Sequence, residues 1–459
     1  MSARPTRVGV VGGGVLGTSL ALRLAQAGAD VTVIERGPSL GGLAGTIDFG
    51  GHEVDRFYHV ITPSDANMIA MAEEVGLGEE LRFKPVGAGF FAGGEMHDFN
   101  GIADLLRFSS LSPPARLRFG WFVAQCQLRS SYEALERIPL DVWLRRHCGR
   151  QVFERIWKPL LESRFDGDFS GLPATYLWAR TRRMSGARQG KGGGQEEMGH
   201  IVGGHQRLID AMVARAEALG VKPILEAPVS GLTTAEDGAV TGVELGDESL
   251  EFDLTIPTLQ PPALRFLLPE RHRALLAPYP ERWLGVVCPI IKVRRSLLPY
   301  YATNITEKTP LTSAVETTQV LGTEHTDGLH LVYMPKYCDP DAPEQSEDDE
   351  SVYRRFSDYL GRLSPGFSRD EVVDWTVQRA KLVEPVHTIR PQGEPRLAPI
   401  WPDVEGLALA SNAQIYPELL NGDSVMRFAE AVAGEVAARF DLPGGTQSAR
   451  KGLVAALVD

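Results

Sequence analysis

Residues 8 to 45 read VGVVGGGVLGTSLALRLAQAGADVTVIERGPSLGGLAG. The first half holds Gly12-x-Gly14-x-x-Gly17 and ends on an acidic residue, Glu35. Gly12 permits a tight turn, Gly14 lets backbone approach a pyrophosphate, and Gly17 lets helix pack on strand. Val15 and Leu16 open the helix whose positive N-terminus faces the phosphates, and Glu35 is placed to accept from a ribose hydroxyl. The apolar run before Gly12 suits a strand buried on both faces. Leu16, Leu20, Leu24 and Ala27 follow at helical spacing up to Gly28, and Val31 to Ile34 forms the next strand. A strand–helix–strand unit that binds an ADP moiety follows from this stretch. The second half, with Arg36 and the pair Gly41-Gly42, is more than a nicotinamide dinucleotide needs.

Working outward, the chain has 459 residues, long enough for two domains. Apolar residues at 43% and charged residues at 23% are those of a soluble globular protein. A net charge of −12 argues against nucleic-acid binding. Cys126, Cys148, Cys288 and Cys338 have neither metal-ligand nor redox-motif spacing, so they read as plain thiols. No signal-peptide pattern and no spanning apolar run is read, and a cytoplasmic location is expected.

Further elements of the same kind recur late in the chain. A helix is expected within Gly203–Gly220, and strands over Pro228–Leu232, Ala239–Leu245, Phe252–Ile256 and Gly406–Ala410. Ser424–Phe440 reads as an amphipathic helix. Between them lie a block rich in Trp, Arg and Phe, the glycine-rich loop Gly186–Gly194, and a strand over Leu329–Met334 before the acidic loop Asp339–Glu350. The expected fold class is α/β. It comprises a Rossmann-type nucleotide-binding domain and a second α+β substrate domain. The first domain is drawn from 1–84, 200–265 and 396–459, and the second from 85–199 and 266–395.

ERGPSLGGLAGT resembles the extended fingerprint of the flavin amine oxidase, protoporphyrinogen oxidase and phytoene desaturase superfamily. The resemblance implies that the first domain is a Rossmann-type FAD-binding domain of the glutathione-reductase-like class, with Arg36, Gly41, Gly42, Leu43 and Ala44 along the FAD pyrophosphate and ribityl chain. Gly203-Gly204-His205-Gln206-x-Leu208-Ile209 resembles the family's glycine-led helix start. It implies that Val229 lies on the strand that hydrogen-bonds adenine. Gly406–Ala410 with Asn421-Gly422-Asp423-Ser424-Val425 resembles the C-terminal FAD segment, whose helix N-terminus favours negative charge on a reduced flavin. Asp423 reads equally as a capping carboxylate. No covalent-flavin motif is recognised, so non-covalent FAD is expected.

Asp55-Arg-Phe-Tyr-His59-Val-Ile-Thr62 resembles, more faintly, the histidine stretch of UDP-galactopyranose mutases, and Tyr416–Val425 lies on their C-terminus with Asp423 at an aspartate position. His59 is thus a candidate beside the flavin or a core histidine, and Arg56 a catalytic or a salt-bridged arginine. Tyr333 and Lys336 are further catalytic candidates; the resemblance implies for Lys336 the role of the lysine that holds water near flavin N5. The Trp–Arg segments Trp157–Phe165 and Leu177–Arg183 suit either a cleft wall or a solvated helix face. Leu105–Leu128 alternates apolar and arginine residues; a lid or core helix is favoured over a membrane-surface helix. No metal site is read.

The expected activity is FAD-dependent removal of hydride from a C–N or C–H bond of a small organic substrate. The alternatives are a redox-neutral sugar-nucleotide mutase and a flavin-stabilised binding protein. A monomer or homodimer is expected.

Overall fold

The computed structural model describes residues 4–186 and 196–444. The glycine-rich loop singled out above lies almost wholly outside the described residues. The N-terminal unit forms as expected: β1 (Arg7–Val11), α1 (Val15–Ala27) and β2 (Asp30–Ile34). α1 stops at Gly28, whose φ of 100° only glycine adopts without strain, and whose N–H returns to the Ala25 carbonyl. The chain then makes a hairpin of β3 (Thr46–Phe49) and β4 (His52–Asp55), helix α2 (Ala66–Glu74), and strands β5 (Leu81–Val86), β6 (Ala88–Ala92) and β7 (Glu95–Asp98). A helical block follows, with α3 (Ile102–Arg107), α4 (Pro113–Leu128), α5 (Leu140–Cys148), α6 (Lys158–Arg164) and α7 (Thr175–Gly186).

Beyond β8 (Glu196–Ile201) and α8 (His205–Ala218) come β9 (Lys222–Ile224), β10 (Gly231–Thr234), β11 (Val240–Leu245), β12 (Glu248–Glu251), β13 (Leu254–Pro257) and α9 (Pro261–Leu267). The last part of the chain holds β14 (Trp283–Val293), β15 (Ala302–Ile305), β16 (Ser313–Glu316), β17 (His330–Tyr333) and β18 (Lys336–Cys338). It closes with α10 (Asp349–Leu363), β19 (Val372–Pro385) and α11 (Gly422–Arg439).

Two sheets organise these elements. The first is parallel, in the order β13-β1-β2-β9, and Leu407 adds a single bridge to Thr255 at its β13 edge. Its Val8, Val10, Val31 and Val33 pack with Leu20 and Leu24 of α1, Met212 of α8, and Ala429 and Val432 of α11. The second runs β18-β14-β17-β16-β15-β6-β7, with β19 along the other edge of β14. Strand alternation gives it two different faces. Val287, Ile291, Val332 and Met334 pack under Val352, Phe356 and Leu360 of α10. On the other face Cys288, Ile290, Leu331 and Tyr333 pack against Phe49, Val54 and Phe57, so the β3–β4 hairpin lies against this sheet.

Three expectations shift. The strand read over Pro228–Leu232 begins only at Gly231, which leaves Val229 in the connecting segment. Gly406–Ala410 makes one bridge rather than a full strand, although Ala408 N–H donates to the Thr255 carbonyl at 3.1 Å and Thr255 N–H to the Gly406 carbonyl at 2.9 Å. The acidic stretch Asp339–Glu350 is partly helical. Asp348 caps α10 by accepting from the Ser351 N–H, and Asp349 and Glu350 occupy its first turn, where the helix dipole favours them.

Sequence reasoning did not single out Lys292, a buried lysine near the C-terminal end of β14. Its ammonium donates to the Phe49 carbonyl and to His52 Nδ1 at 2.8 Å, and its register partner on β19 is Asp374. Burial lowers its pKa; the charges of Asp374, Asp48 and Asp327 oppose the shift. The lysine therefore clamps the hairpin turn to the second sheet. Lys292→Met leaves the Phe49 carbonyl and His52 without this donor, an expected loss of about 1–3 kcal/mol, read as a lower midpoint in urea unfolding.

Candidate active site

The glycines of the opening motif take up distinct jobs. A Cβ at Gly17 would come within 1.9 Å of the Gly12 carbonyl oxygen, so α1 packs on the loop only with glycine there. Gly12 has φ 106° and lies against Thr258, whose hydroxyl donates to its carbonyl at 2.9 Å. Gly14 is the N-cap of α1, with no side-chain cap, and a Cβ there would meet nothing within 4 Å. An uncapped helix N-terminus that opens onto free space is an anion site. The Glu35 carboxylate accepts from Gly13 N–H at 2.7 Å and Gly37 N–H at 2.8 Å. Each of its oxygens keeps a second lone pair for a ribose hydroxyl.

The second glycine pair folds back on the first. Gly41 N–H donates to the Gly13 carbonyl at 2.8 Å, and a Cβ on Gly42 would lie 3.2 Å from Gly14 Cα. Gly41 has φ 122° and Gly42 φ 61°. Leu43 and Ala44 continue as a short 3-10 turn, and Arg36 is exposed at the rim. The two loops make one continuous backbone cradle. Ala227 N–H donates to the Glu35 carbonyl at 3.0 Å, and this holds the Val229 segment at the far end.

From the cradle the chain runs into the hairpin, and Arg56 N–H ties back to the Gly45 carbonyl at 3.0 Å. The next residues form a buried cluster. Asp55, His59 and His205 offer ligand atoms that all lie within 4.8 Å of one another. His205 Nδ1 is 3.4 Å from the Asp55 carboxylate, and the His59 and His205 rings are 5.1 Å apart at their centroids. Burial alone would raise the Asp55 carboxyl, but the His205 hydrogen bond and charge outweigh it and hold Asp55 low. Burial, then the charge of His205, pushes His59 down to about 4, although Asp55 and the Phe57 carbonyl oppose the shift. His59 is neutral at ordinary pH. Its Nδ1 is buried and has no partner among the described residues.

Tyrosines from the second sheet close on this cluster. The Tyr333 hydroxyl donates to the Asp55 carbonyl at 2.7 Å, and the Tyr58 and Tyr337 hydroxyls lie 3.1 Å apart. The Tyr301 hydroxyl is buried with no partner among the described residues. Burial raises the pKa of Tyr58, Tyr301 and Tyr333, so all three stay phenols. Arg164, at the end of α6, lies 3.3 Å from the Tyr337 ring centroid and is ion-paired with Glu384. A cleft beyond Glu384 is lined by Tyr176, His387, Tyr416 and Leu420.

The sequence candidates divide accordingly. His59 and Tyr333 are brought together through Asp55. Arg56 is anchored on its backbone, and its guanidinium donates to the Arg379 carbonyl at 2.8 Å. Lys336 is not brought in. Its neighbour Tyr337 takes the side of β18 that faces Tyr58, while Lys336 pairs with Glu344 and Asp166. Asp423 is also redirected: its carboxylate accepts from Asn67 N–H at 2.6 Å and Met68 N–H at 3.1 Å, so it caps α2. The mutase likeness leaned on Asp423 as well as on the His59 stretch, and the capping reading of Asp423 is the one this geometry matches. Gly422 is held by packing, since a Cβ there would lie 2.6 Å from Met68 Sδ. Ser424 closes the capping box of α11 with Asn421, and Val425 is buried behind it. His205 and Tyr301 escaped the sequence reading; the first sits in the glycine-led helix start, while no sequence signal marks the second.

The sequence model of the flavin containing amine oxidoreductases matches residues 17–422. The chain belongs to this family. Among curated proteins it is similar to the 15-cis-phytoene desaturase of Synechococcus elongatus, 24% identical over 312 residues, which are 62% of this chain and 64% of that protein. It is also similar to the phytoene desaturase of Cercospora nicotianae, 26% identical over 292 residues, 56% of this chain and 45% of that protein. The chain thus spans less than two thirds of the length of the curated desaturases it matches. Solved structures share the fold. An oxidoreductase of Methanosarcina mazei superposes with a TM-score of 0.69 at 18% identity, over 93% of this chain and 99% of the other. Cyclohexylamine oxidase of Brevibacterium oxydans gives 0.63 at 17% identity, over 94% and 100%.

The cradle of this flavin oxidoreductase fits the family's cofactor, since its glycines leave backbone donors and open space where a dinucleotide phosphate is needed. Gly41→Ala strains a left-handed backbone by about 1–3 kcal/mol. The protein is expected to keep its circular dichroism yet carry less flavin per chain, read from the visible absorbance after desalting.

Proposed function

We propose that the protein is a non-covalent FAD enzyme that dehydrogenates a C–C bond of a largely apolar small molecule. Gly12, Gly14, Gly17 and the start of α1 would hold the pyrophosphate, and Glu35 the ribose. The Val229 segment would border the adenine. Gly41, Gly42, Leu43, Ala44 and the start of α11 would hold the rest of the cofactor. A bound flavin supplies the two-electron acceptor.

The observation that carries this reading is His59, a neutral imidazole with an open, buried Nδ1. Taking hydride from the carbon of a neutral amine needs no protein base, since the nitrogen lone pair satisfies the cation. Dehydrogenating a C–C bond requires a group that takes the proton from the neighbouring carbon. That proton becomes acidic as positive charge develops beside it, so a weak base such as His59 suffices. Asp55 stabilises the charge that His59 would gain, while His205, whose own charge opposes it, holds Asp55 in place. Tyr58, Tyr301, Tyr333 and Tyr337, with Cys288 and Leu43 behind them, would exclude water and wall an apolar substrate. The similarity to desaturases in sequence supports the same substrate type.

Anaerobic mixing of the FAD-loaded protein with a panel of prenyl hydrocarbons and of amines tests the proposal. Bleaching of the flavin by the hydrocarbons, with a product lighter by one H2, is expected; bleaching by amines alone would sink the C–C reading. His59→Ala should retain flavin and lose about 10²–10⁴-fold in the reductive rate. In the unaltered enzyme that rate should fall as pH drops through about 4, where His59 gains its proton and ceases to accept one.

A further inference from the structure

The helix α4 has two apolar stripes and uses only one of them inside the protein. Phe119, Phe122 and Cys126 are buried against the helical block. Leu117, Trp121 and Leu128 lie four and seven residues apart, within about 40° of one another around the helix axis. They point to solvent at 66%, 59% and 79% exposure. Leu106 of α3, 48% exposed, adjoins this stripe, because the Arg116 guanidinium donates to its carbonyl. A tryptophan and three leucines in one exposed patch exceed the scattered apolar residues of an ordinary surface.

Charge around the patch is equally one-sided. Residues 105 to 132 contain Arg107, Arg116, Arg118 and Arg129 and no aspartate or glutamate, in a chain whose net charge is −12. Arg116 and Arg118 flank the stripe on either side. Arg116 donates to the Leu111 carbonyl and Arg118 to the His147 carbonyl, contacts that position the guanidinium groups without neutralising them. Among the described residues, none of the four is ion-paired with a carboxylate. No helix among the described residues is long and apolar enough to cross a membrane.

We propose that α4 and the end of α3 form a docking face for an anionic lipid bilayer, with Leu106, Leu117, Trp121 and Leu128 entering the headgroup boundary and the arginines meeting lipid phosphates. An apolar stripe bordered by arginine is the arrangement by which a helix lies in an interface plane. The tryptophan ring suits the headgroup level. The sequence reading favoured a lid or core helix here; the exposed second stripe is what the fold adds.

The test is co-sedimentation of the full-length, flavin-loaded chain with vesicles. One set contains equal parts phosphatidylglycerol and phosphatidylcholine, the other phosphatidylcholine alone. Binding to the anionic vesicles, weaker at high salt and at least about tenfold weaker for the double variant Leu117→Ser/Trp121→Ser, is expected. Both residues are exposed, and an unchanged flavin content and circular dichroism would show that the variant is folded. Absence of binding, equal binding to neutral vesicles, or binding that survives the double substitution overturns the proposal. A dimer that the substitutions dissolve, with no vesicle binding, would assign the face to a second copy and overturn it too.

Discussion

The Gly41 N–H to Gly13 carbonyl hydrogen bond joins the two glycine loops, and the rest of the site is built outward from it. It requires backbone to lie on backbone, since Gly42 approaches within van der Waals distance of Gly14. From this contact the chain leaves in a fixed direction into the β3–β4 hairpin. The hairpin is held again at Gly45 by Arg56 and at its turn by Lys292. One glycine cradle and one half-buried histidine are thereby placed by a single short stretch of main chain. A side chain at Gly42 would meet Gly14 Cα at 3.2 Å and press the two loops apart.

The second sheet answers that arrangement with a face of phenols and small apolar groups. Its charged residues are mostly spent on one another or on backbone: Lys336 on Glu344, Arg164 on Glu384, Lys292 on carbonyls. Around the Asp55–His59 cluster itself the sheet offers Tyr301, Tyr333 and Cys288 rather than charge. In such surroundings an imidazole prefers its neutral form, because burial removes the water that would stabilise the cation. The same loss of water favours an apolar guest over a hydrated one. Under the proposed function, site chemistry and substrate preference share one cause.

Much of this was legible along the chain. Glycine spacing, the acid at position 35 and the second glycine pair were enough to place the parallel sheet and an extended dinucleotide cradle. Those motifs act through neighbours in sequence, where turn geometry and helix polarity are local properties. His59 and Tyr333 were also singled out, although their meeting through Asp55 was not. For Lys336 and Asp423 residue type suggested a role beside the flavin, while other partners hold each side chain; capping was already the second reading of Asp423. Glu344 took the lysine, and the N-terminus of α2 took the carboxylate.

The sequence by itself determined the paired glycine loops and the α/β plan, because both follow from backbone freedom at glycine and from hydrophobic periodicity. Only the tertiary structure decided which face of each strand looks into the site and which stripe of α4 remains uncovered. It also decided which buried groups keep an unused nitrogen or hydroxyl. Those outcomes depend on long-range packing and on the competition of distant partners for each polar atom. Spacing along the chain does not encode that competition.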